Sequence, residues 1–305
     1  MPIRIPNSLP AAEVLSRENI FLMRETRAST QDIRPLRIAL LNLMPDKIAT
    51  ETQFARLLSN TPLQVELELL HMRTHVSKNT ARSHISRFYK TFDEVRERKF
   101  DGLIITGAPV EKLDFEEVDY WPELVEIMDW SIGHVYSTLH ICWAAQAGLH
   151  HHFGISKKML ARKLSGVYAH RVERRGSMLF RGCDDVFNIP HSRHTTVDED
   201  AVREHPALKV LAQSDEAGIF AVSTQEGRQI YFMGHAEYDA GVLDAEYRRD
   251  VAAGLDVPVP AHYYPNDDPG AAPAMSWRAH AHLVFANWLN YFVYQETPYD
   301  LEAIG

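Results

Sequence analysis

A chain of 305 residues with 45% hydrophobic and 24% charged side chains can bury a full core, and no part of it is biased enough for extended disorder. The 32 Lys and Arg against 41 Asp and Glu give a formal net charge of −9, which repels phosphate backbones and anionic bilayers, so neither nucleic acid nor a membrane is expected as a partner. Two cysteines, Cys142 and Cys183, cannot form a disulfide framework, and no signal-peptide core or apolar run of about 18 residues occurs, which reads as a cytoplasmic protein with a free thiol.

The chain order then sets the fold. Residues 1–34 read as an N-terminal arm, with a short helical piece at Ala11–Glu18, an apolar stretch at Ile20–Met23 and a polar run from Arg24 to Ile33. Leu36–Met44 predicts a strand. Asp46 is a plausible N-cap for a helix running to Leu58, with Ile48, Phe54, Leu57 and Leu58 on its buried side. Val65, Leu67 and Leu69 alternate as a second strand, Ile85–Arg98 reads as a helix, Leu103–Thr106 as a strand and Trp121–Ile132 as a helix. Val135–Ile141 is a fourth strand that runs into Cys142 and a small-residue helix, Trp143–His150. This alternation predicts an α/β fold with a mostly parallel sheet and helices on both faces. Short β-like runs follow at Gly166–His170, Val186–Ile189 and Leu208–Ala212, and then a hairpin, Ile219–Thr224 and Gln229–Met233, around a turn that contains Gly227. The remainder reads as a helix at Leu243–Ala253, a Pro- and Gly-rich loop at Val257–Met275 and an amphipathic helix at Trp277–Tyr294. One α/β domain over residues 35–297, with a tail at 298–305, is the expected organisation.

Cys142 stands at a strand-to-helix turn on the carboxyl edge of that sheet, where such folds place chemistry. The helix starting at Trp143 offers free backbone N–H groups and a positive dipole end, which favour a thiolate and can hold an oxyanion. A small buried hydrophobe is the alternative reading of the same cysteine. His235 and Glu237 follow the second hairpin strand. In extended backbone, residues two apart point the same way, so the carboxylate can orient the imidazole. A thiol, an imidazole and a carboxylate are the parts of nucleophilic acyl transfer. Most of the 16 histidines, by contrast, are expected to be structural.

The fragments HICWAAQAGLHH and FMGHAEYD resemble the homoserine O-acyltransferase family, and the similarity extends through Asn42–Lys47, Ile105–Glu111 and Pro190–Thr195. The resemblance implies a flavodoxin-like fold of the class I glutamine amidotransferase type, with a Cys–His–Glu triad. It implies acyl transfer from a coenzyme A thioester to the hydroxyl of L-homoserine, with no bound cofactor and a homodimeric assembly. By position, Cys142 becomes the nucleophile, His235 the base, Glu237 its partner, and Lys163, Ser192 and Arg249 the substrate-binding residues. A guanidinium at Arg249 suits a carboxylate. The backbone at Trp143 would form the oxyanion hole, and Lys47 would contact the donor. At the position of Glu111, the family pairs glycine with succinyl-CoA and glutamate with acetyl-CoA. A carboxylate there repels and excludes a succinyl group while leaving room for a methyl, so acetyl-CoA is the expected co-substrate and succinyl-CoA the alternative. Outside the family, the same triad would serve an amidotransferase-like hydrolase, and a lone thiol could serve a redox sensor.

Residues 155–181 hold eight basic side chains, Lys157, Lys158, Arg162, Lys163, Arg171, Arg174, Arg175 and Arg181, against the single acid Glu173. Such a run is usually a solvated face, yet a local positive field could capture polyanionic coenzyme A, with Lys163 its favoured member. No metal is expected. The neighbours His150, His151 and His152 diverge around a helix, and His280 with His282 has the same defect.

Overall fold

Leu36–Leu41 is apolar at almost every position because both of its faces are covered, as in a parallel strand between two helical layers. The computed structural model describes residues 3–6, 8–18, 23–24, 34–75 and 79–304. In chain order these form β1 (Ile3–Ile5), α1 (Pro10–Arg17), β2 (Met23–Arg24), β3 (Leu36–Leu41), α2 (Lys47–Leu58), β4 (Val65–Leu70), α3 (Arg82–Phe88), β5 (Tyr89–Lys90), β6 (Phe100–Ile105), α4 (Trp121–His134), β7 (Val135–Ile141) and α5 (Trp143–Phe153). They continue as β8 (Lys157–Val172), β9 (Val186–Val197), α6 (Glu199–Glu204), β10 (Leu208–Ser214), β11 (Gly218–Thr224), β12 (Gln229–Phe232), α7 (Val242–Ala252) and α8 (Arg278–Asn287), which runs on into a π-helical stretch, Trp288–Tyr294.

All the strands join one sheet in the order β2-β1-β4-β3-β6-β7-β12-β11-β10-β8-β9, with β5 beside β4. The run from β2 to β12 is parallel, and the run from β12 to β9 is antiparallel. Alternation along β3 divides the core between the faces. Ile38 and Leu40 pack with Phe54 and Leu58 of α2 and Phe285 of α8. Ala39 and Leu41 pack with Leu124 and Ile127 of α4 and Trp143 of α5. The N-terminal segment is built into this body: β1 pairs with β4, and α1 buries Ala11 and Leu15. The last turn buries Leu301 and Ile304 and accepts a hydrogen bond from Lys99 Nζ at the Glu302 carbonyl, 3.0 Å away. Among the described residues no helix is long and apolar enough to cross a membrane.

Several expectations are corrected. The first strand ends at Leu41 rather than Met44, because Asn42 Oδ1 accepts the Met44 N–H at 3.1 Å and turns the chain. Ile48 is 37% exposed, since the buried stripe of α2 runs through Lys47, Thr50, Glu51, Phe54 and Leu58, one helical step away. The helix expected over Ile85–Arg98 spans only Arg82–Phe88. Tyr89 and Lys90 pair with Leu69 and Leu70, and Thr91 and Glu94 form a capping box that starts a separate turn. The short runs near Gly166 and Val186 are parts of a long ribbon, β8 with β9, in which Gly166 lies opposite His191. Gly166 is required there: a Cβ would stand 2.4 Å from the Ala261 carbonyl oxygen. The residues Ile20–Leu22 and 25–33 of the arm lie outside the described residues.

Candidate active site

The meeting of thiol and imidazole is a consequence of strand register. β7 and β12 are parallel neighbours with Ile141 opposite Phe232, so the residues that follow each strand emerge at one sheet edge. Cys142 turns sharply there, at φ 51 and ψ −112, donating its N–H to the Phe232 carbonyl at 2.6 Å. This left-handed conformation is costly for a residue with a Cβ and marks a position held by its surroundings. Trp143 then opens α5, and its N–H, at the first helical position, has no acceptor within the helix. On the other chain segment, His235 donates its backbone N–H to the Pro190 carbonyl at 2.8 Å.

The His235 ring binds Glu237 Oε1 through Nδ1 at 2.7 Å and makes a hydrogen bond with the Cys142 side chain. All three side chains are buried, Cys142 being 3% and Glu237 7% exposed. Burial opposes the charge on His235, but the facing Cys142 and Glu237 overcome it and hold the imidazolium well above the ordinary histidine range. Tyr238 stacks on the same ring, with centroids 4.1 Å apart and planes at 15°. Gly107, at the end of β6, completes the wall: a Cβ there would stand 3.3 Å from both the Cys142 Cβ and the His235 Cε1. Cys183 has no such partners, and burial beside Asp184 pushes its thiol up to about 11.

A Glu237→Gln variant tests this charge balance. Removing the carboxylate removes a cause that raises the His235 pKa, so the alkaline limb of kcat/KM for a thioester donor is expected to move to lower pH by about one to three units. An unmoved limb would take Glu237 out of that role.

The other expected residues gather around a glutamate that the sequence did not single out. Glu246 on α7 accepts from Ser192 Oγ, from Tyr238 OH at 3.1 Å and from Lys163 Nζ at 3.4 Å. Lys163 also donates to Asp250 at 2.9 Å. Arg249 donates to Asp250 at 2.9 and 2.7 Å and is otherwise open, its side chain 68% exposed. Glu111 accepts the His194 N–H at 3.2 Å, and burial raises its carboxyl above the usual range, while His235 and Lys163 pull it down. A second missed residue is Arg193, 1% exposed. Its guanidinium donates to the Thr195 carbonyl at 3.3 Å and to the Ala217 carbonyl, and it is a buried positive charge that acts on Cys142. No carboxylate lies within ion-pair distance of it among the described residues. Pattern reading missed it because the expected run stops at Ile189, which leaves Arg193 outside any element, whereas β9 continues to Val197 and carries the residue inward.

The basic run at residues 155–181, in which Arg162 and Arg174 have no ion-pair partner among the described residues, is answered in part by acids from other elements: Lys158 pairs with Asp198 at 2.9 Å, Arg171 with Asp215 at 2.7 Å and Lys163 with Asp250. Lys47 does not project freely either: its Nζ donates to the Asn42 and Met44 carbonyls at 2.6 and 3.3 Å. His151 and His152 converge where divergence was expected, because Asp129 of α4 reaches across: the three ligand atoms lie within 4.8 Å of one another, with His151 Nε2 2.6 Å from the carboxylate.

Residues 2–299 match the family model described as homoserine O-succinyltransferase. The chain belongs to that family. It is 59% identical over 301 residues to a homoserine O-acetyltransferase of Brevibacillus brevis, covering 99% of this chain and 98% of that protein. It is 58% identical over 304 residues to a homoserine O-acetyltransferase of Acetivibrio thermocellus, covering 100% of both. Among solved structures, a glutamine amidotransferase of Thermotoga maritima superposes with a TM-score of 0.56 at 11% identity, over 85% of this chain and 98% of that one. At that identity the likeness speaks for the fold alone, a class I glutamine amidotransferase-like α/β sheet.

Proposed function

We propose that the protein is a homoserine O-acetyltransferase: it moves the acetyl group of acetyl-CoA to the hydroxyl of L-homoserine through an acetyl-Cys142 thioester. The observation that carries the donor choice is the half-buried carboxylate of Glu111, held by the His194 N–H beside the triad. Cys142 attacks the thioester carbonyl, and the N–H of Trp143 receives the oxyanion. Collapse breaks the bond to coenzyme A, which leaves with a proton from His235. His235 then takes the hydroxyl proton of homoserine as that oxygen attacks the acetyl-enzyme. The second tetrahedral species expels the Cys142 thiolate, and O-acetylhomoserine departs with the imidazolium restored.

Glu246 and Arg249 stand three residues apart on α7, on one face of the helix. They suit the two ends of an amino acid, a carboxylate for the ammonium and a guanidinium for the carboxylate. Glu246→Gln is therefore expected to raise the KM for L-homoserine by about 10- to 100-fold and to leave acetyl-CoA thiolysis at Cys142 unchanged. An equal loss in both half-reactions would assign Glu246 a structural role instead. Homodimeric assembly, a cytoplasmic location and the division into an arm (1–34), a domain (35–297) and a tail (298–305) belong to the same reading.

The deciding experiment is thiol release from acetyl-CoA and from succinyl-CoA, each with and without L-homoserine. Homoserine-dependent release from acetyl-CoA supports the proposal. Preference for succinyl-CoA would favour the second reading, which the family model's description supports. Release without homoserine would indicate a hydrolase.

A further inference from the structure

The sheet edge that carries Cys142 continues past β6 to β3 and β4, and a cavity of about 300 Å³ opens at their carboxyl ends. Leu43, Met72, Ile85 and Tyr120 supply its apolar lining, and Lys47, Arg73 and Arg82 its lysine and arginine charge. We propose that this cavity takes the nucleotide end of the acyl-CoA donor, with Arg73 and Arg82 on its phosphates and the pantetheine arm crossing β3 and β6 to Cys142. The proposal rests on the acyltransferase reading above and adds to it where the donor lies.

Spacing fits first. Neighbouring strands lie about 4.8 Å apart, which places β3 and β4 roughly 10–15 Å from β7, a gap that an extended pantetheine arm spans. The floor between is continuous: the Leu43 N–H donates to Thr106 Oγ1 at 2.8 Å, and the next residue, Gly107, lies against Cys142 and His235 with no side chain to block the way.

Charge fits second. Arg82 is exposed and has no carboxylate partner among the described residues. Among the described residues Arg73 has Asp93 as its ion-pair partner, at 2.7 Å, with both side chains about half exposed, a screened pair that a phosphate can displace. Acids are also present, but committed: Asp119 pairs with His75 at 2.9 Å, and Glu123 accepts the Arg73 and Thr74 N–H groups at 2.9 Å each. Lys47 brings an ammonium to the base, lowered by burial to about 8 and anchored on the carbonyl of Asn42, whose Nδ2 donates to Tyr89 OH at 2.9 Å, and Tyr89 in turn donates to Glu51 at 2.5 Å. Part of the basic run at residues 155–181 is answered by acids, whereas this cavity sets its arginines over an apolar lining on the same sheet edge as the thiol.

The test is an Arg82→Glu variant, changed at an exposed position, assayed at saturating L-homoserine with acetyl-CoA and with acetyl-pantetheine, which lacks the nucleotide. Arg73→Ala serves as the second variant. The expected result is a fall of at least about tenfold in kcat/KM for acetyl-CoA with little change for acetyl-pantetheine. An equal change with both donors, or none with either, overturns the proposal. If the unaltered protein releases thiol from neither donor in the presence of homoserine, the acyltransferase reading itself fails, an outcome distinct from a working enzyme indifferent to Arg82.

Discussion

Replacing Cys142 with alanine is expected to lower homoserine-dependent thiol release from acetyl-CoA by at least about 10³-fold while leaving the fold intact. Alanine keeps the Cβ, so the left-handed backbone at this position, φ 51, carries the same strain in both proteins. The loss is one sulfur atom in a site already anchored by the Cys142 N–H to the Phe232 carbonyl and by α5. The effect should therefore appear in chemistry and not in melting temperature. Mass spectrometry after mixing with acetyl-CoA should find one acetyl group on the unaltered protein and none on the variant. Near-full turnover without the thiol would rule out the covalent route and leave direct attack by homoserine.

Glu111→Gly is the second large effect: the ratio of kcat/KM for succinyl-CoA over acetyl-CoA is expected to rise by on the order of 10³-fold. Two like charges about 4 Å apart in surroundings of effective dielectric ~20 repel by about 4 kcal/mol, or three decades in rate constant. Removal of the side chain also clears the volume that the longer acyl group needs. A pH series supplies an independent check. Burial raises the Glu111 carboxyl, so the charged form prevails only above that raised value, and discrimination against succinyl-CoA should weaken as pH falls through it. A preference unchanged by the substitution would remove Glu111 from donor selection.

The reactive centre was legible to the extent that it is local. The run Val135–Ile141 into Cys142 predicts a strand-to-helix turn, and the spacing of His235 and Glu237 predicts a carboxylate behind the imidazole; both follow from periodicity within a few residues. What escaped notice lies between elements. Glu246 gathers Ser192 from β9, Lys163 from β8 and Tyr238 from the loop after β12, three segments that no sequence window joins. Arg193 reads as a surface base until β9 turns it inward. The helix misread at Ile85–Arg98 has a related cause: Tyr89 is drawn into the sheet by Leu69 and by the buried carboxylate of Glu51, a tertiary demand that overrides local helical pattern.

The β7–β12 register that joins Cys142 to His235 separates what can vary from what cannot. Bond-making rests on a backbone ladder, where a slip by one residue would turn a strand's side chains to the opposite face. In the proposed reaction, donor and acceptor choice rests on side chains displayed by the surrounding loops and by α7. Libraries that aim to retarget this protein to other acyl groups or amino alcohols therefore belong at Glu111, Glu246 and their neighbours, where the search space is open and the chemistry is left undisturbed.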